Sequence, residues 1–250
     1  MTGASRGIGR VIATQLAHRG VRVALHYRSN RAAAEESLRG LAGSGHAIFD
    51  ADLSDLREAS LLWQRVVDSL GAVDVLINNA GLYLFHSPLN TGYDNWLSAW
   101  QQTLATNLVA PANLSLLAAQ SMAARTARNE DFGRGRIVNV SSRGAFRGEP
   151  DAPAYAASKA GLNALSQSCA KALAPSAVYV YCVAPGWVET EMATQHLTGP
   201  EGPAILAQHP LGRVNRTDEV AQATVYCALD APAAMTGCVI DVNGASYLRT

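Results

Sequence analysis

Thr2-Gly-Ala-Ser-Arg-Gly-Ile-Gly9 runs straight into a helical period in which Ile8, Val11, Ile12 and Leu16 share one face. Glycines at 3, 7 and 9 let a backbone come within contact distance of a pyrophosphate. The helix N-terminus behind them offers free N–H groups and a positive dipole end. The stretch therefore reads as a dinucleotide seat that opens the first unit of a parallel sheet. Working outward, Gly20 stops the helix and residues 21–27 form a strand. A helix over 31–41 and a strand over 46–50 follow, and then Ser54 or Asp55, with Glu58 closing a capping box, starts a helix that runs toward Leu70. Residues 73–77 are the next buried strand, helices cover 94–106 and 108–126, and a polar connector at 129–135 leads to the strand 136–140. A loop rich in glycine and proline over 143–153, a helix over 155–173 and a strand over 178–183 come next. An irregular stretch then runs to Asn215, followed by a helix over 217–229 and a last strand over 238–242.

This alternation predicts an α/β fold, a single doubly wound parallel sheet with helices on both faces, in one domain over residues 1–250. The opening turn should itself be fed by a strand, because its glycines connect sheet to helix. Only Met1 precedes Thr2. We therefore expect a gap between the strands at 21–27 and 73–77 unless another segment fills it. We also expect the recorded chain to be an N-terminally truncated reading, its natural form starting upstream with an apolar strand of roughly 5 or 6 residues.

Composition narrows the function. The 250 residues carry 20 basic and 20 acidic side chains and 48% apolar residues. Zero net charge without a block of like charge offers no footprint for nucleic acid or an anionic membrane surface. No apolar run reaches the roughly 20 residues that span a bilayer, and no secretory signal opens the chain, so a soluble cytoplasmic protein is expected. Four widely spaced cysteines read as buried small hydrophobes, and six scattered histidines predict no metal site.

Asp52-Leu53 and Asn78-Asn-Ala-Gly81 follow two of the strands, at the carboxyl edge where open α/β sheets bind ligands. An NAD site calls for an acidic residue after the second strand of the unit, a 2′-phosphate for a cation. Tyr27-Arg28-Ser29 stands there, with Arg6 in the glycine turn and no carboxylate before Glu35, so NADP(H) is the expected cofactor. At the other end of the crevice, Tyr155-Ala-Ala-Ser-Lys159 puts a phenol and an ammonium one helical turn apart. A lysine charge stabilises phenolate and lowers a tyrosine pKa from about 10. Ser141-Ser142 emerge from the strand 136–140 at the same edge.

Over essentially its whole length the chain resembles the short-chain dehydrogenase/reductase family, which has a Rossmann-type fold. TGASRGIG at 2–9, NNAG at 78–81, Asn107, Ser142 thirteen residues before Tyr155, Lys159 and Pro185-Gly-Trp-Val-Glu-Thr190 carry the likeness. The resemblance implies carbonyl and alcohol interconversion by hydride transfer. Ser142 would polarise the carbonyl, Tyr155 would act as general acid/base, Lys159 would hold the nicotinamide ribose and lower the tyrosine pKa, and Asn107 would keep a relay water. Gly3, Ser5, Arg6, Gly7, Ile8 and Gly9 would line the pyrophosphate, and Arg28 and Ser29 the 2′-phosphate. Asp52 and Asn79 would lie near the adenine side, Thr190 and the backbone near Val188 would contact the carboxamide, and Leu53, Ala80, Gly81, Pro185 and Gly186 would belong to the cofactor site. On the residues alone, Asn107 could instead stitch a helix to a strand, and Ser141 could be the reacting hydroxyl. Leu82-Tyr-Leu-Phe85, the loop 143–154 and residues 187–213 should set specificity, with Tyr83, Phe146 and Trp187 as pocket lining and Arg143 and Arg147 solvated or drawing an anionic group. The resemblance runs toward 3-oxoacyl carrier-protein reductases, leaves quinone, sugar and steroid substrates open, and implies a homodimer or homotetramer. The competing reading is a dinucleotide sensor or scaffold that binds without turnover.

Overall fold

Strands form where short apolar runs end in glycine or polar residues: β1 (Ala24–Tyr27), β2 (Ala47–Asp50), β3 (Val75–Asn78), β4 (Gly135–Val140), β5 (Val178–Pro185) and β6 (Val239–Val242). The computed structural model describes residues 1–249, with side chains at all of these but Met192 and Gln195. Among the described residues the strands pair in parallel, in the orders β1-β2 and β3-β4-β5-β6. All six residues of β4 are buried, as a strand covered on both faces requires.

The helices α1 (Gly7–His18), α2 (Arg31–Arg39), α3 (Glu58–Leu70), α4 (Tyr93–Leu104), α5 (Ala110–Ala123), α6 (Gly144–Arg147), α7 (Pro153–Leu173), α8 (Glu191–Thr198), α9 (Gly202–Ala207) and α10 (Thr217–Leu229) surround the strands. Ile12 and Leu16 of α1 join Val220 and Val225 of α10 in one apolar cluster. On the other face Leu62 of α3, Leu114 and Met122 of α5 and Ala170 of α7 close over Ile137 and Val180. Among the described residues no helix is long and apolar enough to cross a membrane.

The gap predicted beside the opening turn is present. Met1, Thr2 and Gly3 reach across its upper end: Met1 N donates to Ala24 O at 2.8 Å, His26 N to Met1 O at 3.0 Å, Thr2 N to Ile77 O at 2.9 Å and Gly3 N to His26 Nδ1 at 3.1 Å. No other described strand lies between β1 and β3.

Three local expectations are corrected. Asp55 accepts from Arg57 N and Asp52 from Ser54 N, so residues 52–57 form turns and α3 starts at Glu58 without the capping box. The helices expected at 94–106 and 108–126 are one continuous run, α4 and α5 joined by a π-turn, Ala105–Val109. The irregular stretch before Asn215 holds α8 and α9.

Candidate active site

The glycine turn is held from both neighbouring strands. Gly3 (φ +63°) and Gly7 (φ +52°) adopt left-handed backbone that glycine takes without strain. A Cβ on Gly3 would lie 2.9 Å from Ala80 Cα, and one on Gly9 would run into the Gly3 carbonyl. Asn79 Nδ2 donates to Thr2 O at 3.1 Å and Gly3 O at 2.9 Å, while Thr2 Oγ1 accepts from Asn79 N and Ala80 N, each at 3.0 Å. The Asn79 side chain thus ties the turn to the end of β3.

A residue that sequence reasoning missed holds the turn from β1. The Gly3 N–H donates to His26 Nδ1 at 3.1 Å, which leaves the proton on Nε2, and that nitrogen donates to Ala51 O at 3.0 Å. Its one signal was a polar residue inside an otherwise buried strand. Burial pushes the His26 imidazole down to about 4. The unfolded ring, with a pKa near 6.5, binds its proton first, so stability is complete above about pH 6.5 and falls as pH drops toward 4, by roughly 3 kcal/mol over that window. Denaturant titrations from pH 7 to pH 4.5 should show this loss, and His26→Gln should flatten its slope.

The other turn residues stand as follows. Ser5 O accepts from Arg10 Nε and Nη2 and from Ser37 Oγ, which fixes the carbonyl ahead of α1. Arg6 is exposed and lies 3.4 Å from Glu191. Arg28 and Ser29 are exposed at the end of β1. Asp52 accepts from Ser54 N at 2.9 Å and Ser54 Oγ at 2.7 Å, bonds that hold its carboxyl below the usual carboxylate range, and Leu53 beside it is buried.

At the reacting end, β4 delivers two serines in opposite directions. Ser141 is buried and its Oγ donates to Lys159 O at 3.3 Å. Ser142 Oγ accepts from Gly144 N at 3.0 Å, and its hydroxyl is near enough to the Tyr155 phenol to influence that group's pKa. Lys159 is buried, its Nζ donating to Val140 O at 2.8 Å and lying 5.7 Å from the centre of the Tyr155 ring. A Cβ on Gly81 would sit 3.6 Å from that Nζ and 3.8 Å from Asn107 Oδ1, so the NNAG stretch, Lys159 and Asn107 meet. Asn107, fully buried in the π-turn, accepts from Leu82 N at 2.8 Å and donates to Leu82 O at 2.9 Å and Ser158 Oγ at 3.1 Å. Both amide hydrogens are committed, so the side chain ties the π-turn to the segment after β3 and to α7.

The expected lowering of the tyrosine pKa is not found. Burial pushes the Tyr155 phenol up to about 12, with the Ser142 hydrogen bond opposing it and Glu149 adding to it. Lys159 Nζ is turned to the Val140 carbonyl, and burial pushes that ammonium down to about 8. Loss of hydration therefore outweighs charge proximity for both groups.

From the end of β5, Gly186 N donates to Val242 O at 3.0 Å, and Val188 is bridged to Asn215. Thr190 Oγ1 donates to Val188 O at 3.4 Å, and a Cβ on Gly7 would touch Thr190 Cγ2 at 3.5 Å. The PG-x-V-x-T stretch following Pro185 thus closes the crevice against the glycine turn. Over its reacting end, Tyr83 packs on Tyr155 with ring centres 4.8 Å apart, and His196 of α8 lies 5.0 Å from Phe85 and 5.4 Å from Trp187. Phe146, expected in the pocket, stacks instead on Tyr247. Arg143, expected to be solvated or to draw an anion, is buried and donates to Gln208 Oε1 at 2.9 Å; Arg147, which is exposed, donates to the same oxygen at 3.0 Å.

Comparison with known proteins matches residues 3–245 to a family model described as enoyl-(acyl carrier protein) reductase. A 3-oxoacyl-(acyl-carrier-protein) reductase of Staphylococcus aureus is 33% identical over 99% of this chain and 97% of its own length. Its Escherichia coli counterpart is 34% identical over 99% and 96%. The chain belongs to the short-chain dehydrogenase/reductase family. An L-rhamnose 1-dehydrogenase (NAD(P)(+)) of Azotobacter vinelandii, 34% identical over 100% of this chain and 96% of its own length, shows how far relatives at this identity diverge in substrate. Membership makes the chain a short-chain dehydrogenase/reductase in fold and an oxidoreductase of carbonyl and alcohol chemistry.

Proposed function

We propose that the protein is an NADPH-dependent carbonyl reductase in which Tyr155 is the proton donor. The convergence of the Ser142 hydroxyl, the Tyr155 phenol and the Lys159 ammonium beside Gly81 carries this reading. The cofactor fits the chain's own cradle: a Cβ on Gly3 or Gly9 would collide with Ala80, Asn79 or the Gly3 carbonyl, so the glycines let the turn close against the end of β3 and leave the N–H groups at the start of α1 to receive a pyrophosphate. Gly3, Gly7 and Gly9 would hold the phosphates, Gly81 and Lys159 the nicotinamide ribose, and Val188 and Thr190 the carboxamide. When bound, the reduced nicotinamide supplies the hydride. Ser142 orients and polarises the substrate oxygen, and the preset hydrogen bonds favour charge on that oxygen as it develops. A phenol near 12 holds its proton at neutral pH and gives it to a far more basic alkoxide, which suits the direction of reduction. Lys159 keeps the ring of Tyr155 in register through its anchor on Val140 O.

Arg28 favours NADPH, because no carboxylate stands at the end of β1 and the guanidinium is exposed there. Arg6 would leave Glu191 to share the 2′-phosphate. Arg28→Glu should lower kcat/KM for NADPH about 100-fold and leave NADH nearly unchanged, a charged hydrogen bond lost and a repulsion gained; steady-state kinetics with both cofactors decide it. Exposed Leu97 on α4 and Leu116 on α5 support assembly of copies through these helices. The deciding experiment for the function is NADPH oxidation against a panel of acyl thioester, sugar, quinone and steroid carbonyls. Turnover with any of them supports the enzyme, and NADPH binding with no turnover across the panel supports the sensor.

A further inference from the structure

Residues 82–86 carry Tyr83, whose ring packs on that of Tyr155. The segment is tied to α7 at two points, one on either side of Tyr155 in the chain. At Leu82 the tie runs through Asn107, which holds both backbone groups of that residue and donates to Ser158 Oγ; Ser158 Oγ in turn donates to Tyr155 O at 2.7 Å. At His86 the tie is direct. The His86 N–H donates to Asp151 O at 2.8 Å, and Ala154 N donates to His86 Nε2 at 3.0 Å.

This second tie supplies what α7 lacks. Ala152 offers no side-chain cap, Pro153 has no N–H, and Ala154 brings the first amide hydrogen of the helix into a fully buried position. A peptide N–H can only donate, so His86 Nε2 is bare and the ring proton sits on Nδ1, which donates to Leu84 O at 2.8 Å. The imidazole is 1% exposed, with Trp96 and Trp100 of α4 5.4 Å and 6.4 Å from its centre. Its orientation is fixed along with its tautomer.

We infer that His86 is a positioning residue of the reaction: it caps α7 from outside the helix and so sets where Tyr155, the residue next to Ala154, presents its phenol. The inference rests on Tyr155 being the proton donor. Without the imidazole acceptor the buried Ala154 N–H is left unpaired, and the first turn of α7 frays or rotates to find a partner. Tyr155 sits in that turn, so its hydroxyl moves with it. Lys159 lies one turn further in and is held separately by Val140 O. A displacement of about 1 Å at a reacting group is enough for a large loss of rate. No part of the cofactor cradle depends on this contact, so NADPH binding is spared.

Three substitutions divide the two bonds of the ring. His86→Gln puts an amide oxygen near the place of Nε2 and keeps an acceptor for Ala154. His86→Asn is too short to reach Ala154 and keeps only a donor toward Leu84. His86→Phe keeps the packing and neither bond. In the asparagine and phenylalanine variants kcat for carbonyl reduction should fall about tenfold or more, with KM for NADPH within about twofold of wild type, while the glutamine variant stays within about threefold in both. A second readout needs no turnover. In protein labelled with carbon-13 at tyrosine Cζ, the Tyr155 resonance, assigned by its absence from Tyr155→Phe, should shift in the asparagine and phenylalanine variants and stay in place in the glutamine variant. Equal kcat in all three variants, whether lowered alike or unchanged, overturns the inference, as does a Tyr155 resonance that is the same in all of them. Should the phenylalanine variant fail to fold, the glutamine and asparagine pair, alike in polarity, still decides. If the wild-type protein reduces no carbonyl of the panel, the proton-donor reading fails, and the Tyr155 resonance alone then shows whether His86 sets the place of the phenol.

Discussion

Tyr155→Phe lowers kcat for carbonyl reduction by about a thousandfold while NADPH binds as before; that is the expected result, within the span that a positioned general acid contributes. The substitution removes one oxygen and little else. The phenyl ring keeps its packing against Tyr83, Lys159 keeps Val140 O, and Ser142 keeps the Gly144 N–H. Thermal stability should therefore move by only a degree or two. The developing alkoxide would be left with Ser142 alone, a hydroxyl that can donate a hydrogen bond but has no partner to replenish its proton. Alcohol oxidation gives the sharper readout. There the phenol must first ionise, and with its pKa raised to about 12 the wild-type rate should climb nearly tenfold per pH unit through the neutral and mildly alkaline range. In the phenylalanine variant that climb should vanish. Stopped-flow rates and pH profiles in both directions, with fluorescence titration of NADPH, provide the check. A variant that keeps most of its reductive turnover takes the proton from elsewhere, and the assignment of Tyr155 fails.

Much of this site was legible because its parts lie at strand ends and helix starts, where short-range spacing already fixes geometry. The glycine turn, the NNAG stretch and the Tyr155–Lys159 pair each sit on one element, and parallel topology then brings the carboxyl ends together. The opening between β1 and β3 was legible for the same reason: a βα turn with no described strand ahead of it leaves a gap that no later described segment enters. What escaped depends on contacts distant in sequence. His26 reads as an odd polar residue in a strand until Gly3, 23 residues away, donates to its ring. Arg143 reads as a loop cation until Gln208, in the turn after α9, receives it. The spacing to Tyr155 already favours Ser142 over Ser141; what spacing does not show is that Ser141 is buried with its Oγ turned to Lys159 O. The direction of the Tyr155 shift was misjudged because spacing reports the nearby ammonium and says nothing of lost water.

Gly9→Ala should weaken NADPH binding about 100-fold or more and lower Tm by about 10 °C. The sign is informative, because in an open helix position alanine is favoured over glycine by about 1 kcal/mol. Gly9 has ordinary helical backbone, so the requirement is one of space alone. A methyl group there would meet the Gly3 carbonyl and lie 2.7 Å from Asn79 Nδ2 and 2.9 Å from Gly3 C. These atoms cannot retreat cheaply: Gly3 N is fixed to His26, Gly3 O to Asn79, and Asn79 N to Thr2. Relief therefore means tilting α1 off the sheet or opening the turn, at a cost of about 3 kcal/mol typical of an overpacked core, which corresponds to the stated fall in Tm. Either movement shifts the N–H groups that face the pyrophosphate, so affinity and stability should fall together. Gly92→Ala serves as the comparison, since a Cβ there meets nothing within 4 Å and the backbone needs no left-handed angle. Scanning calorimetry and NADPH fluorescence titration on the two variants separate the cases: a Gly9 variant that behaves like the Gly92 variant would show that the turn yields, and the close approach of helix and strand would lose its place in cofactor binding.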